Sequence, residues 1–304
     1  MTVLGIDVGG TNIKAGRVDE NGFVFDTSST ETPADAGPDA VLDTIASVIK
    51  KVSDASPVDA VGIGFPGVVD ASGTVHHPPN LKQWTTVPVR AILEERLHRT
   101  IVVENDANAA AIAEADAGAG RDISDFLYAT LGTGVGGCVI INRHVYRGPT
   151  GGAGEIGHII VDINSKSSVT GHAWRAGTVE EFAGRDGRLS YYRALTGDTA
   201  SVSELVRRVE AGDAHADATF AMLARYLAAG FASALAVLGM PTLIIGGGIV
   251  EAYPPLIDLI RTQLLERALP SIAQHLDLRK ATYGNQAGII GAAFLAKRTL
   301  TSVD

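Results

Sequence analysis

Cysteine is close to absent: Cys138 is the single one among 304 residues. A lone thiol closes no internal disulfide, which excludes a disulfide-framework protein and fits a reducing compartment. Basic residues are outnumbered, 25 against 34 acidic, and they are scattered rather than clustered. A net charge of −9 therefore excludes a nucleic-acid partner, because capture of a polyphosphate backbone needs grouped Lys and Arg to displace counterions. Long hydrophobic runs are missing too. The most apolar stretch, Tyr226 to Leu238, reads as too short and too Ala-rich to span a bilayer, and Met1 to Gly10 lacks the basic-then-apolar pattern of a signal peptide. No membrane partner and a cytoplasmic setting are expected. What is present is ordinary globular composition, 46% hydrophobic and 19% charged, long enough to bury a sizeable core without disulfides or structural metals.

The chain opens as strand, glycine turn, strand: Val3 to Asp7, then Val8 to Asn12, then Ile13 to Val18, with Val24 and Phe25 in a third strand after the Asn21-Gly22 turn. Val41, Ile45, Val48, Ile49 and Val52 mark one face of a helix from about Pro38 to Asp54. Apolar strands at Val58 to Gly64 and Ile101 to Val103 bracket a helix over Pro88 to His98, the pattern of an α/β unit with crossover connections. A helix over Ala107 to Ala117 follows, then strands at Phe126 to Leu131 and Val139 to Ile141 around a second glycine turn, Gly132 to Gly137. Helices at Val202 to Ala211, Ala216 to Leu238, Pro254 to Ala268 and Gln286 to Arg298, and a buried strand at Thr242 to Ile245, complete the set. Asp186 to Ser201, polar and rich in Arg and Gly, reads as an exposed connection. The strand–glycine hairpin–strand unit occurs twice, at Asp7 to Lys14 and Gly132 to Val139, which suggests two related lobes with a cleft between them.

Five clusters and one further acid carry chemistry. In Asp7-Val8-Gly9-Gly10-Thr11-Asn12-Ile13-Lys14 the paired glycines Gly9 and Gly10 let backbone approach a bulky anion, Thr11 and Asn12 add donors, and Lys14 adds charge. Asp7 has the oxygen to hold Mg2+ through water. The spacing matches neither a Walker loop nor a Rossmann fingerprint. The second hairpin, with Thr133 and Gly134, reads either as a plain glycine turn or as the opposing clamp on terminal phosphates. Gly246-Gly247-Gly248, at the end of an apolar strand, reads either as packing glycines or as close backbone approach to a nucleotide, with Gly247 and Gly248 at the contact. At Glu104-Asn105-Asp106-Ala107-Asn108 a strand runs into a helix, and Asp106 is either that helix's N-cap or the group that takes a proton from an attacking hydroxyl while Asn105 orients a neighbour. The helix dipole favours the charged carboxylate and so tempers it as a base; a loose phosphoryl-transfer transition state demands little early proton removal, which makes positioning the larger contribution. Glu155 and His158, three residues apart in a glycine-rich segment, can grip adjacent hydroxyls or form a surface ion pair. Glu180 is an acid in the first turn of a helix, where acids are common.

At these residues the sequence resembles the ROK (repressor, open reading frame, kinase) family of sugar kinases and sugar-responsive regulators. The resemblance covers nearly the whole chain and rests on Gly5 to Lys14, Gly62 to Gly67, Pro79-Asn80-Leu81 with Trp84, Glu104 to Asn108, Gly132 to Gly137 and Gly154 to His158. It implies an α/β, actin/hexokinase-like (ribonuclease H-like) two-lobed fold with an interlobe active-site cleft, divided as 1–106 with 287–304 and 107–286. It implies an ATP-dependent hexose kinase with Asp106 as catalytic base, and a homodimer. Sugar contacts would come from Gly67, Asn105, Glu155, His158 and Glu180, and ATP contacts from Asp7, Gly10, Thr11, Asn12, Lys14, Thr133 and Gly134, with Mg2+ arriving on the nucleotide. Glucose is the first expectation for the acceptor, with N-acetylmannosamine or N-acetylglucosamine next and fructose third. A polyphosphate donor stays open, although no extended basic track favours it.

One departure is large. Many members bind structural zinc through the histidine after Glu-Ile-Gly and a following cysteine cluster; here that stretch reads Gly171-His172-Ala173-Trp174-Arg175-Ala176-Gly177-Thr178-Val179-Glu180, without cysteine. His158 and His172 alone do not make a four-ligand site, so no zinc is expected and His158 lacks an evident orienting partner. The family's regulators carry an N-terminal helix-turn-helix, for which Asp7 leaves no room; a sugar sensor that has lost turnover is the competing class, against which Lys14, Asp106 and both hairpins speak.

Overall fold

The computed structural model describes residues 2–301 except 56, 167 and 170, and the backbone alone at 55. The chain forms two compact units, 1–123 with 142–153 and 285–304, and 124–141 with 154–284. The boundary falls after the first helix of the expected second lobe rather than before it. That helix, α3 (Asp106–Asp116), packs on the C-terminal helix (Ala287–Thr301), with Gly291 so close that an added Cβ would lie 1.6 Å from the Ala109 carbonyl oxygen.

The first unit is built on a five-stranded sheet, β1 (Val3–Val8), β2 (Asn12–Val18), β3 (Val24–Glu31), β4 (Ala60–Phe65) and β8 (Ile101–Asn105), in the order β3-β2-β1-β4-β8. β1, β2 and β3 pair antiparallel, while β4 runs parallel to both β1 and β8. β4 is buried along its whole length, as its uninterrupted Ala-Val-Gly-Ile-Gly-Phe requires of a central parallel strand. The helix α1 (Pro38–Ala55) turns Val41, Ile45, Val48, Ile49 and Val52 into the core, as its 3.6-residue spacing predicts. β3 runs on to Glu31, well past the apolar pair that marks it in the sequence; its later residues are mostly exposed on the edge of the sheet. Three two-residue strands, β5 (Val68–Val69), β6 (Val75–His76) and β7 (Thr86–Val87), make a small meander ahead of α2 (Val89–Leu97).

The second unit repeats the core of that topology. β9 (Phe126–Leu131) and β10 (Val135–Ile141) form an antiparallel hairpin, and Thr242–Gly246 pairs parallel with β9 on one side and with Asp277–Lys280 on the other. Hairpin, parallel strand, parallel strand is the same sequence of pairings as in β1, β2, β4 and β8, so the glycine echo marks equivalent places in two related sheets.

Two expectations need correction. Asp186 to Ser201 is not an exposed connection: after α4 (Val179–Ala183), residues Arg185–Thr196 form a helix, α5, which buries Gly187, Arg188 and Tyr192. Its inward face is an arginine and a tyrosine, so hydrophobic periodicity does not reveal it. Nor does the apolar stretch stop short of membrane-spanning length. Beyond α6 (Val202–Glu210), helix α7 runs Ala214–Leu238 and is, among the described residues, the one helix long and apolar enough to cross a bilayer. Phe220, Leu223, Leu227, Phe231 and Leu235, at helical spacing, face the unit's own core, the arrangement of a core helix.

Candidate active site

In the first unit the chemistry gathers at the C-terminal ends of β1, β4 and β8. The β1–β2 register puts Asp7 directly opposite Lys14 and Val8 opposite Ile13, and the turn closes with the Gly9 N–H donating to the Asn12 carbonyl at 2.9 Å. Thr32 ties the turn down, its hydroxyl donating to the Gly9 carbonyl at 2.7 Å and its N–H to the Thr11 carbonyl at 2.9 Å. Thr11 and Asn12 stand exposed at the tip. Gly10 packs on Asn80, where a Cβ would come within 2.8 Å of the asparagine Cβ. Burial raises the pKa of Asp7 above the usual carboxylate range, and Lys14 across the ladder opposes that shift.

At the end of β8, Asn105 rather than Asp106 caps α3: its side-chain oxygen accepts the Asn108 N–H at 3.0 Å. Capping is therefore not what Asp106 is for. Half-buried in the first helical turn, its Oδ1 accepts the Ala107 N–H at 2.8 Å and the Asn105 amide at 3.1 Å. The same Asn105 amide donates to the Gly67 carbonyl at 2.9 Å, so Gly67, Asn105 and Asp106 are brought together. Gly67 sits at φ +90 with no room for a side chain, since a Cβ would lie 2.9 Å from the His76 carbonyl oxygen and the Pro78 Cα. Behind them Glu104, 2% exposed, accepts from the Asn108 amide at 2.9 Å and the Asn105 N–H at 3.0 Å, and it is gripped by Arg147 from the 142–153 segment. Arg147 carries no signal in the sequence; nothing about a lone arginine in a loop marks its partner.

In the second unit the β9–β10 hairpin turns through Gly132, Thr133 and Gly134, with Thr133 exposed. Glu180, in the first turn of α4, accepts the Val135 N–H at 2.8 Å and pairs with Arg175 at 2.7 Å. Gly134 leaves space for that carboxylate; a Cβ there would lie 2.1 Å from it. Glu155 and His158 flank a single 3-10 turn, with Oε2 and Nε2 3.9 Å apart. Of the glycine run, Gly247 (φ +98) packs against the Leu131 backbone, which a Cβ would meet at 2.4 Å, whereas Gly248 is exposed with nothing near its Cβ position.

The partner of His158 that the sequence does not supply is Trp174. Its indole lies 5.3 Å from the His158 ring and 5.6 Å from the His172 ring, centroid to centroid, with the Arg175 guanidinium 5.1 Å away. The imidazoles of both His158 and His172 thus pack on an indole, and Cys138 is fully buried in the strand β10. Among the described residues no three His, Cys, Asp or Glu side chains converge, so the donors do not fit a structural zinc. Mg2+ takes a different donor set, one carboxylate with water and substrate phosphate oxygens, and Asp7 beside the first hairpin is a carboxylate of that kind.

Glu155 shows how the site is charged. Its side chain keeps 44% of its surface, yet the protein around it raises its pKa through desolvation, with His158 opposing and Glu180 adding to the rise. A carboxylate raised on folding makes the native state lose stability as pH climbs from the unfolded value to the folded one, and the loss persists above it. Glu155→Gln is therefore expected to melt higher than the parent at pH 7, by a small margin given solvent screening, and to match it below about pH 4. Thermal melts at the two pH values check this; a variant less stable at pH 7 contradicts it.

With this geometry in view, the relatives are informative. The model of the family described as "ROK family" matches residues 3–299. This chain belongs to the ROK family. It is 30% identical to a glucokinase of Thermotoga maritima, over 99% of this chain and 98% of that one. It is 33% identical to an N-acetylmannosamine kinase of Escherichia coli, over 98% and 99%. The fold is that of a Streptomyces griseus ROK glucokinase solved with glucose and AMPPNP, at a TM-score of 0.86 and 32% identity, over 98% of this chain and all of that one. The ROK fold, actin/hexokinase-like and α/β, is thus the fold of this chain.

Proposed function

We propose that this ROK protein transfers the γ-phosphoryl group of ATP to the 6-hydroxyl of glucose. The chain is an ATP-dependent sugar kinase. The observation that carries it is the Gly67–Asn105–Asp106 arrangement at the end of β8, which holds a half-buried carboxylate in a fixed place where a hydroxyl proton can be taken. The sugar's O6 bonds to the γ-phosphorus as the bond to the β–γ bridging oxygen breaks, the O6 proton passes to Asp106, and ADP leaves. The exposed tips of the two glycine hairpins, Gly9 to Asn12 with Lys14 behind them and Gly132 to Gly134, offer N–H groups and hydroxyls to the phosphates. Mg2+, when bound, neutralises phosphate charge, and Asp7 is the residue of this chain suited to it. Within the second unit, Glu155, His158 and Glu180 are the groups suited to sugar hydroxyls, with Trp174 fixing the His158 ring and Arg175 the Glu180 carboxylate.

Glucose is favoured by the Streptomyces griseus kinase solved with that sugar. N-acetylmannosamine is the second reading, supported by the 33% identity to the Escherichia coli kinase. A coupled ADP-release assay with Mg-ATP and glucose, mannose, fructose, N-acetylglucosamine or N-acetylmannosamine decides between them. Glucose is expected to give the highest kcat/KM; a higher value with N-acetylmannosamine moves the assignment, and no turnover with any sugar that binds returns the weight to a sensor.

A further inference from the structure

Arg188 sits 3% exposed on α5, behind the second glycine hairpin, and the mechanism above makes no use of it. Its two terminal nitrogens donate to backbone carbonyls, Ala183 at 2.9 Å and Gly132 at 2.9 Å, and Gly132 is the first residue of the hairpin turn. The neighbouring carbonyl, Thr133, accepts the Arg185 N–H at 2.8 Å, so the start of α5 braces the first two of the turn's three residues. What is unusual is the charge. A buried guanidinium is ordinarily matched by a carboxylate, but among the described residues Arg188 makes no ion pair, and its buried Nε has no hydrogen-bond partner. The charges that act on it are Arg185 and Asp186, and those two pair with each other at 3.1 Å. The other carboxylates here are engaged elsewhere: Glu180 pairs with Arg175, and Glu181 accepts from Ser168 and the Val169 N–H. Burial without a counter-ion brings the Arg188 pKa down to about 10, which still leaves it charged at neutral pH.

We propose that Arg188 is a positioning and electrostatic residue for the nucleotide: a fixed buried cation that both holds the Gly132–Gly134 turn and supplies, from beneath it, the positive charge that the terminal phosphates of ATP complete. A buried arginine with no carboxylate partner among the described residues is the arrangement expected where the counter-ion is a ligand. The first hairpin has its lysine in sequence, at Lys14; the second has none, and α5 brings its cation from more than fifty residues further on. This rests on the reading of the second hairpin as a phosphate clamp.

The test is calorimetric binding of ATP, ADP and AMP, without divalent cation so that phosphate charge differs along the series. In Arg188→Gln, which keeps a donor for the Gly132 carbonyl and removes the charge, ATP is expected to weaken by about tenfold and AMP by less than about twofold, with ADP between. Arg188→Lys, which keeps the charge, is expected to preserve the wild-type ratio of ATP to AMP affinity, and serves alone should the glutamine variant fail to fold. Equal weakening of ATP and AMP in Arg188→Gln, no weakening of either, or a collapsed ratio in Arg188→Lys overturns the role of Arg188. A wild-type protein that binds ATP no better than AMP would instead remove the phosphate reading of the hairpin itself, and the proposal with it.

Discussion

Asp106→Ala and Asp106→Asn are each expected to lower kcat by about 10²–10⁴-fold while leaving the fold in place. The structure separates these two effects. Because Asn105 caps α3, removing the Asp106 carboxylate leaves the cap bond to Asn108 intact, and the cost to stability should stay within about 1 kcal/mol, read from a urea midpoint. Asparagine is the sharper probe. It is nearly isosteric and keeps an oxygen for the Ala107 N–H, yet it cannot take a proton from a sugar hydroxyl. If Asp106 mattered only through local hydrogen bonds, asparagine would restore turnover. A loss of kcat with little change in the sugar KM in both variants is the expected signature of a group that acts in the transition state.

Arg147→Ala is expected to cost about 3 kcal/mol of stability, because it leaves the Glu104 carboxylate buried without its cation. Glu104, on β8, precedes Asn105 and Asp106, and the other end of its carboxylate accepts from Asn105 and Asn108. Strain there reaches the cap of α3 and the Asn105 amide that spans Gly67 and Asp106, so kcat should fall as well. The double variant Glu104→Gln/Arg147→Met removes both charges, keeps an acceptor for Asn108, and should be more stable than Arg147→Ala alone. Denaturant titration of the variants checks the ordering; an Arg147→Ala protein with a wild-type midpoint would show that the pair contributes nothing.

The parts of this molecule that are plain in the sequence are those in which local pattern and local structure coincide. Val41 to Val52 buries a helical face because its apolar spacing is helical, and Asp7 faces Lys14 because a short glycine turn joins two strands. Asn105 and Asp106 fall at the strand-to-helix junction expected of them, although which of the two caps the helix is settled only by side-chain direction. What escapes the sequence is polar burial. Arg188 and Glu104 are buried through partners 56 and 43 residues away, and no window along the chain contains both members of either pair. The segment Arg185–Thr196 reads as a loop for the same reason: the residues it turns inward are polar or glycine, so its amphipathicity is hidden. The packing of Trp174 escapes the sequence for a different reason. An exposed indole between two histidines looks like loop composition until the rings are seen to pack together.

The central claim is transfer of phosphate from ATP to the 6-hydroxyl of glucose. It is tested most directly by incubating the protein with Mg-ATP and uniformly carbon-13-labelled glucose and recording the carbon spectrum of the product. Coupling of phosphorus to carbon 6, absent with Asp106→Asn, is the predicted result. ADP and free phosphate accumulating beside unmodified glucose, or a product whose phosphorus couplings leave out carbon 6, would contradict it.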